Sequence, residues 1–190
     1  MRKVYLLFTD TGTLLSRVIN LFTKSNLNHA SISFDEHLNE VYSFGRKQPY
    51  NPWSGGFVQE NVRGSFFSNA TCAIYQLTIT EETYEILRSR VKQMEARTDY
   101  YRYNLLGLIG VLFNLEWNRD RAFFCSEFVA TILHEAGIYT DAKPACLTRP
   151  QDLKEWQELT LIYHGGLRTY LQKQGAMQQI PQAWHKKMAT

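Results

Sequence analysis

The sequence predicts an α+β domain in which a small antiparallel sheet packs against a cysteine-bearing helix. Three stretches carry that prediction. The alternating segment NHASISFD, the turn EHLN and the returning EVYSFG read as a β-hairpin. The strand-like TCAIYQLTIT runs directly into a capped amphipathic pattern, and the segment from Cys125 to Gly137 has helical spacing that begins at the cysteine itself.

In chain order, Lys3 to Thr9 is β-branched and aromatic and reads as a strand that ends at the Thr-Asp-Thr-Gly turn, which Asp10 and Gly12 shape. Thr13 is placed to cap a helix whose apolar residues Leu14, Val18, Leu21 and Phe22 recur at helical spacing. In the hairpin, Ala30, Ile32 and Phe34 share one face, and His29, Ser31 and Ser33 share the other. Arg46 to Ser65 is rich in Pro, Gly, Asn and aromatics, with a short strand at GFVQE. Such a stretch is a surface excursion or a functional loop. Thr80 is the expected cap of the next helix, with Glu81 and Glu82 in its first turn and Tyr84, Leu87, Val91 and Met94 as its buried stripe. Pro150 starts a short helical turn, and LTLIYHGG is the last strand.

At 190 residues, 44% of them hydrophobic, the chain has the length and apolar content for one folded domain, taken as residues 1–175 with a polar tail over 176–190. A net charge of +3 spread along the chain argues against a nucleic-acid partner. The cysteines Cys72, Cys125 and Cys146 show no CxxC spacing, so neither a zinc site nor a disulfide framework is expected, and no metal or cofactor is implied. The apolar run Val4 to Phe8 is too short for a signal peptide, and Asn104 to Phe113 falls far below the ~20 residues of a membrane span. The expectation is a protein of a reducing, cytoplasmic compartment, with contact to a membrane surface left open. Cys72 lies in a strand and reads as a small core hydrophobe, and Cys146 lies in a loop.

Cys125 has the most chemistry in its surroundings. Phe128, Ile132, Leu133 and Ala136 repeat at helical spacing and Gly137 is a stop, so the helix starts near Cys125 or Ser126. The free N–H groups and partial positive charge of a helix N-terminus favour a thiolate and can receive an oxyanion. That effect is modest alone, so a nucleophilic cysteine needs a histidine. Of His29, His37, His134, His164 and His185, His134 is too far along the same helix, whereas His29 opens a strand from which it can reach a helix packed on the sheet. On spacing alone, Cys125 is a packed core thiol or a nucleophile.

SNLNHASISFDEHLNEVYSFGR, followed far downstream by FFCSEFVATIL, resembles the circularly permuted branch of the NlpC-like papain-fold hydrolases. This branch includes the YiiX/YaeF-type proteins and the lecithin:retinol acyltransferase-like enzymes. In that branch the histidine strand precedes the cysteine helix, which is the order here. The resemblance spans roughly Val4 to Ile138 and implies a permuted papain-like fold with Cys125 as nucleophile and His29 as base. It also implies a third, polar residue on the strand after the histidine strand, which orients the imidazole. Register suggests Ser43 for that role. Serine departs from the commoner His, Asn, Gln or acid and brings no charge, and Glu60, at the end of GGFVQE, is the alternative carboxylate. Glu60, Tyr103 and Trp53 are the candidate substrate-binding residues, with Gly55 and Gly56 allowing close backbone approach. The resemblance implies hydrolysis of an amide in a peptide-like or cell-wall-like substrate. Acyl transfer or lipid hydrolysis by the same Cys-His pair, on a lipid-like substrate, is the second reading, and a non-catalytic binding module that keeps the fold is the third.

Overall fold

Strand β1 (Arg2–Asp10) is buried from Val4 to Thr9 because its alternate residues feed two different cores. The computed structural model describes residues 1–10, 27–46, 55–104, 107, 110–111, 115–116, 119, 121–140 and 143–178. β1 pairs antiparallel with β2 (His29–Ser33) on one side and β5 (Thr71–Ile79) on the other. The sheet continues through β3 (Val41–Arg46) and β4 (Gly55–Gln59) at one edge and β8 (Thr160–Gly166) at the other, in the order β4-β3-β2-β1-β5-β8. Every ladder in it is antiparallel. A separate parallel pair joins β6 (Arg102–Tyr103) to β7 (Ala122–Phe123).

Among the described residues, four α-helices have defined bounds: α1 (Glu81–Glu95), α2 (Cys125–Glu135), α3 (Pro150–Lys154) and α4 (Leu167–Gln178). The observed class is α+β, as the patterning predicts. One face of the sheet presents Val4, Leu6, Phe8, Ala30, Ile32, Tyr42 and Phe44 to α1 and α2. The other presents Tyr5, Leu7, Val41, Cys72 and Ile74 to Leu167 and Tyr170 of α4 and to Val62, Phe67 and Ala70. This is the period-2 rule of a strand applied twice, because a sheet covered on both faces needs apolar residues on both.

α1 forms as its sequence predicts. The Thr80 hydroxyl accepts the Thr83 N–H at 3.1 Å, and the stripe Tyr84, Leu87, Val91 and Met94 is buried. α2 is enclosed nearly all round, with Cys125 to Ala130, Ile132 and Leu133 buried, and it stops where Gly137 takes φ 71°. Phe128 seats it against the sheet, with ring centroids 5.3 Å from Phe44 and 5.7 Å from Phe57. Burying such a ring is worth roughly 1.5–3 kcal/mol, so this one side chain does much to fix the helix over β3 and β4.

α4 is absent from the sequence reading, and residue 175 falls inside this helix. Its Tyr170 hydroxyl donates to the Glu36 carbonyl at 2.9 Å, tying the helix to the β2–β3 turn. The helix expected after Thr13, the loop around Trp53 and most of the segment from Asn104 to Phe113 lie outside the described residues. Cys72 is fully buried and burial pushes its thiol up to about 12, so it is an inert core residue. Cys146 is buried in the short turn Ala145–Leu147. Among the described residues, no helix is long and apolar enough to cross a membrane.

Candidate active site

The site is built where two strands stop pairing. β2 and β3 are joined at Ile32↔Tyr42 and Ser33↔Val41, and no ladder continues towards His29 and Gly45. The His29 ring lies against Gly45 there, its Cε1 3.7 Å from where a Gly45 side chain would begin. The N-terminus of α2 meets β2 at the same place. The Cys125 sulfur lies 3.8 Å from the Asn28 carbonyl, which receives the proton of the neutral thiol, and it accepts from the backbone N–H groups of Ala30 and Ser126. Cys125 also hydrogen-bonds the His29 side chain.

The far side of the imidazole belongs to Glu60. His29 Nε2–H donates to Glu60 Oε1 at 2.6 Å, so Nδ1 is the nitrogen left for the sulfur. The carboxylate accepts two further bonds, from the Ser31 hydroxyl to Oε2 at 2.7 Å and from the Ser43 hydroxyl to Oε1 at 2.8 Å. Register thus puts Ser43 one bond away from the place the sequence reading assigns it, touching Glu60 and not the imidazole. The reason is the β3–β4 ladder. It pairs Ser43 with Val58 and Tyr42 with Gln59, so the chain leaves β4 at Glu60 beside Val41, whose carbonyl accepts the Glu60 N–H at 2.8 Å. The longer acidic side chain reaches the ring, and the serine fixes the acid.

Burial opposes charge on all three groups, pushing Cys125 and Glu60 up and His29 down. Their mutual contacts outweigh it. Glu60 and Cys125 hold His29 well above its ordinary 6.5. The charge and hydrogen bond of His29, with the two serine hydroxyls, hold Glu60 below the usual carboxylate range. His29 and the N–H groups of Ala30 and Ser126 hold Cys125 below a free thiol. Each of the three shifts runs towards the charged form: thiolate, imidazolium and carboxylate. Cys125 is only 4% exposed, whereas the His29 side chain is 23% exposed and forms the open side of the pair.

A second polar link braces the helix start. Glu127 is 2% exposed, and its carboxyl accepts the Phe124 N–H at 3.1 Å and the Asn104 side-chain amide at 3.4 Å. Burial pushes it up to about 7, the opposite sense to Glu60, because no cation faces it in those contacts. Ser126 is satisfied separately, its hydroxyl donating to the Thr148 carbonyl at 2.8 Å.

The structure therefore brings together Cys125, His29, Ser43 and Glu60. Tyr103 is half-buried on β6 and packs on Gly55 at the start of the strand that leads to Glu60. A side chain at Gly55 would begin 2.5 Å from the Tyr103 Cβ, so only glycine permits that approach. Trp53 lies outside the described residues. The sequence reading gives Ser31, Asn28 and Glu127 no role in the site. Ser31 was findable, since it shares the His29 face two residues on. Thr9, the β1 partner of His29, is likewise given no role there, and among the described residues its buried hydroxyl has no hydrogen-bond partner. Among the described residues no group of three or more His, Cys, Asp or Glu side chains is arranged to hold a metal ion. Comparison of the chain with protein-family models, curated proteins and solved structures gave no match.

Proposed function

We propose that the chain is a cysteine-dependent hydrolase of the permuted papain-like kind, cleaving an amide bond through a thioester on Cys125. The observation that carries this reading is the row Cys125–His29–Glu60 set at the N-terminus of α2. A buried core thiol needs neither a charged histidine beside it nor a carboxylate fixed by two hydroxyls behind that histidine. Burial works against charge on all three groups, and a site that uses the charges is the usual reason for such an arrangement.

In the proposed reaction His29 holds the proton given up by Cys125, and the thiolate attacks the carbonyl carbon to form a C–S bond. The carbonyl π pair moves to oxygen, where free N–H groups at the start of α2 favour the negative charge. The tetrahedral species collapses, the C–N bond breaks, and the His29 proton passes to the leaving amine. Water then attacks the thioester with His29 as base, the C–S bond breaks, and the acid leaves as Cys125 is restored. Glu60 keeps the imidazole oriented and charged when required, the role a carboxylate has in a catalytic triad.

Alkylation of Cys125 by iodoacetamide, followed by mass spectrometry across pH, tests the charged resting pair. Reaction well below the ~8.5 of a free thiol is expected, with a His29→Ala variant shifted to higher pH. A Cys125 that is inert in folded protein, with no change on His29→Ala, would remove the enzymatic reading.

A further inference from the structure

A concave site of about 320 Å³ lies on the β6–β7 pair and is lined by Asp99, Tyr100, Arg102, Arg119, Arg121 and Ala122. We infer that Arg102, Arg119 and Arg121 form a pocket for a phosphate group.

The backbone brings Arg102 up to Arg119 and Arg121, which are two residues apart in sequence. The Arg102 N–H donates to the Arg121 carbonyl at 3.0 Å, and the Ala122 N–H donates to the Arg119 carbonyl at 3.2 Å. Arg102 itself pairs with Ala122 in the parallel ladder. All three arginines are exposed, so a solute can reach them. Other arginines of this chain sit on acids, as Arg88 does on Glu40, Arg90 on Glu135 and Arg149 on Asp152. Among the described residues Arg102, Arg119 and Arg121 have no such bridge. Among the described residues that line the cavity, three arginines stand with one carboxyl, Asp99, an excess of positive charge that an anion relieves.

Arg121 adds a second, independent observation. It holds φ 62°, a left-handed conformation that glycine adopts freely and an arginine adopts at a cost. In that conformation its guanidinium lies 4.5 Å from the centre of the Tyr100 ring, which fixes the group at the cavity wall. A turn needing only that backbone shape would favour glycine, so the side chain is what the position retains. Planar guanidinium forks match the oxygens of phosphate, and three arginines lining one cavity suit a group with three terminal oxygens. The inference is independent of the hydrolase reading, because it concerns binding and not turnover.

The test is titration calorimetry with pyrophosphate, together with sedimentation on phosphatidylcholine vesicles with and without phosphatidate. Wild type is compared with Arg102→Gln, Arg121→Gly and the control Lys173→Gln, which removes an equal charge from α4. Arg121→Gly relaxes the strained backbone, so it separates loss of the guanidinium from loss of folding. Saturable binding that weakens about tenfold or more in each arginine variant and stays unchanged in Lys173→Gln is expected. Binding to pyrophosphate identifies a soluble phosphate, and binding only to phosphatidate vesicles, with the same dependence on arginine, identifies a lipid-borne one. Failure to bind either probe, equal binding by the arginine variants, or an equal loss in Lys173→Gln overturns the inference.

Discussion

Glu60→Gln isolates the charge that holds His29, because it preserves the shape of the side chain. The carboxylate accepts three hydrogen bonds, from His29 at 2.6 Å, Ser31 at 2.7 Å and Ser43 at 2.8 Å. An amide has one acceptor oxygen, so at least one hydroxyl must turn round. Replacing a charged acceptor by a neutral one lowers a hydrogen bond from about 1.5–3 to about 0.5–1.5 kcal/mol. The lost attraction between unit charges ~4 Å apart reaches about 4 kcal/mol at an effective dielectric near 20. The imidazolium therefore loses about 1–4 kcal/mol, and at ~1.4 kcal/mol per unit His29 falls by roughly one to three pH units. Burial, which already opposes its charge, then dominates. The stability linkage has a definite sign. The His29 contribution is complete below 6.5 and is lost as pH rises through its raised folded value, and the Glu60 contribution is complete above 4.5 and is lost as pH falls through its lowered one. The pair thus stabilises the fold around neutrality, and Glu60→Gln removes that advantage. Titration of the His29 ring proton by NMR reads the shift directly. A His29 value that moves by less than about half a unit would refute this account of the site, since even the smallest contribution above predicts more.

Glu127 gives the opposite pH signature. Its carboxyl is raised from 4.5 to about 7, so its contribution is complete below 4.5 and fades as pH rises through about 7. That is a loss on the order of 3 kcal/mol, which Glu127→Gln should abolish in urea denaturation at pH 5 and pH 8. Phe128→Ala opens a cavity between α2 and the Phe44 and Phe57 rings and should cost about 3–5 kcal/mol in the same assay, with faster alkylation of the loosened Cys125. Gly55→Ala forces a methyl group to 2.5 Å from the Tyr103 Cβ and should cost about 1–3 kcal/mol, read as a fall in thermal midpoint.

The elements that periodicity governs are legible in the sequence. Thr80 as a cap, the four-residue stripe of α1, the start of α2 at Cys125 and its stop at Gly137 all follow from local chemistry, and the structure has them there. His29 as the histidine nearest Cys125 followed from its place at the start of a strand. Its neighbour was less legible. Glu60 lies 31 residues from His29, and only the β3–β4 ladder says which side chain arrives at the ring. Hairpin register alone favours Ser43, and no local pattern reports a pairing between strands separated by a stretch rich in Pro and Gly. α4 was illegible for a different reason. Leu167, Tyr170 and Gln174 are buried at helical spacing, but the stripe is partly polar and its apolar signal is weak. The β6–β7 pair is two residues long on each side and has no periodicity to detect. The arginine pocket it assembles was invisible for the same reason, and charge read along the chain looked evenly spread.

The central claim is that Cys125 carries an acyl group during turnover. Intact-mass and peptide-mapping mass spectrometry, after rapid quenching with a mixture of peptide amide and phospholipid substrates, tests it directly. The account predicts a peptidyl adduct on Cys125 that is absent in Cys125→Ser and does not accumulate in His29→Ala. A fatty acyl adduct on Cys125 would contradict the amide substrate, and an unmodified Cys125 under turnover with either substrate would contradict the nucleophile itself.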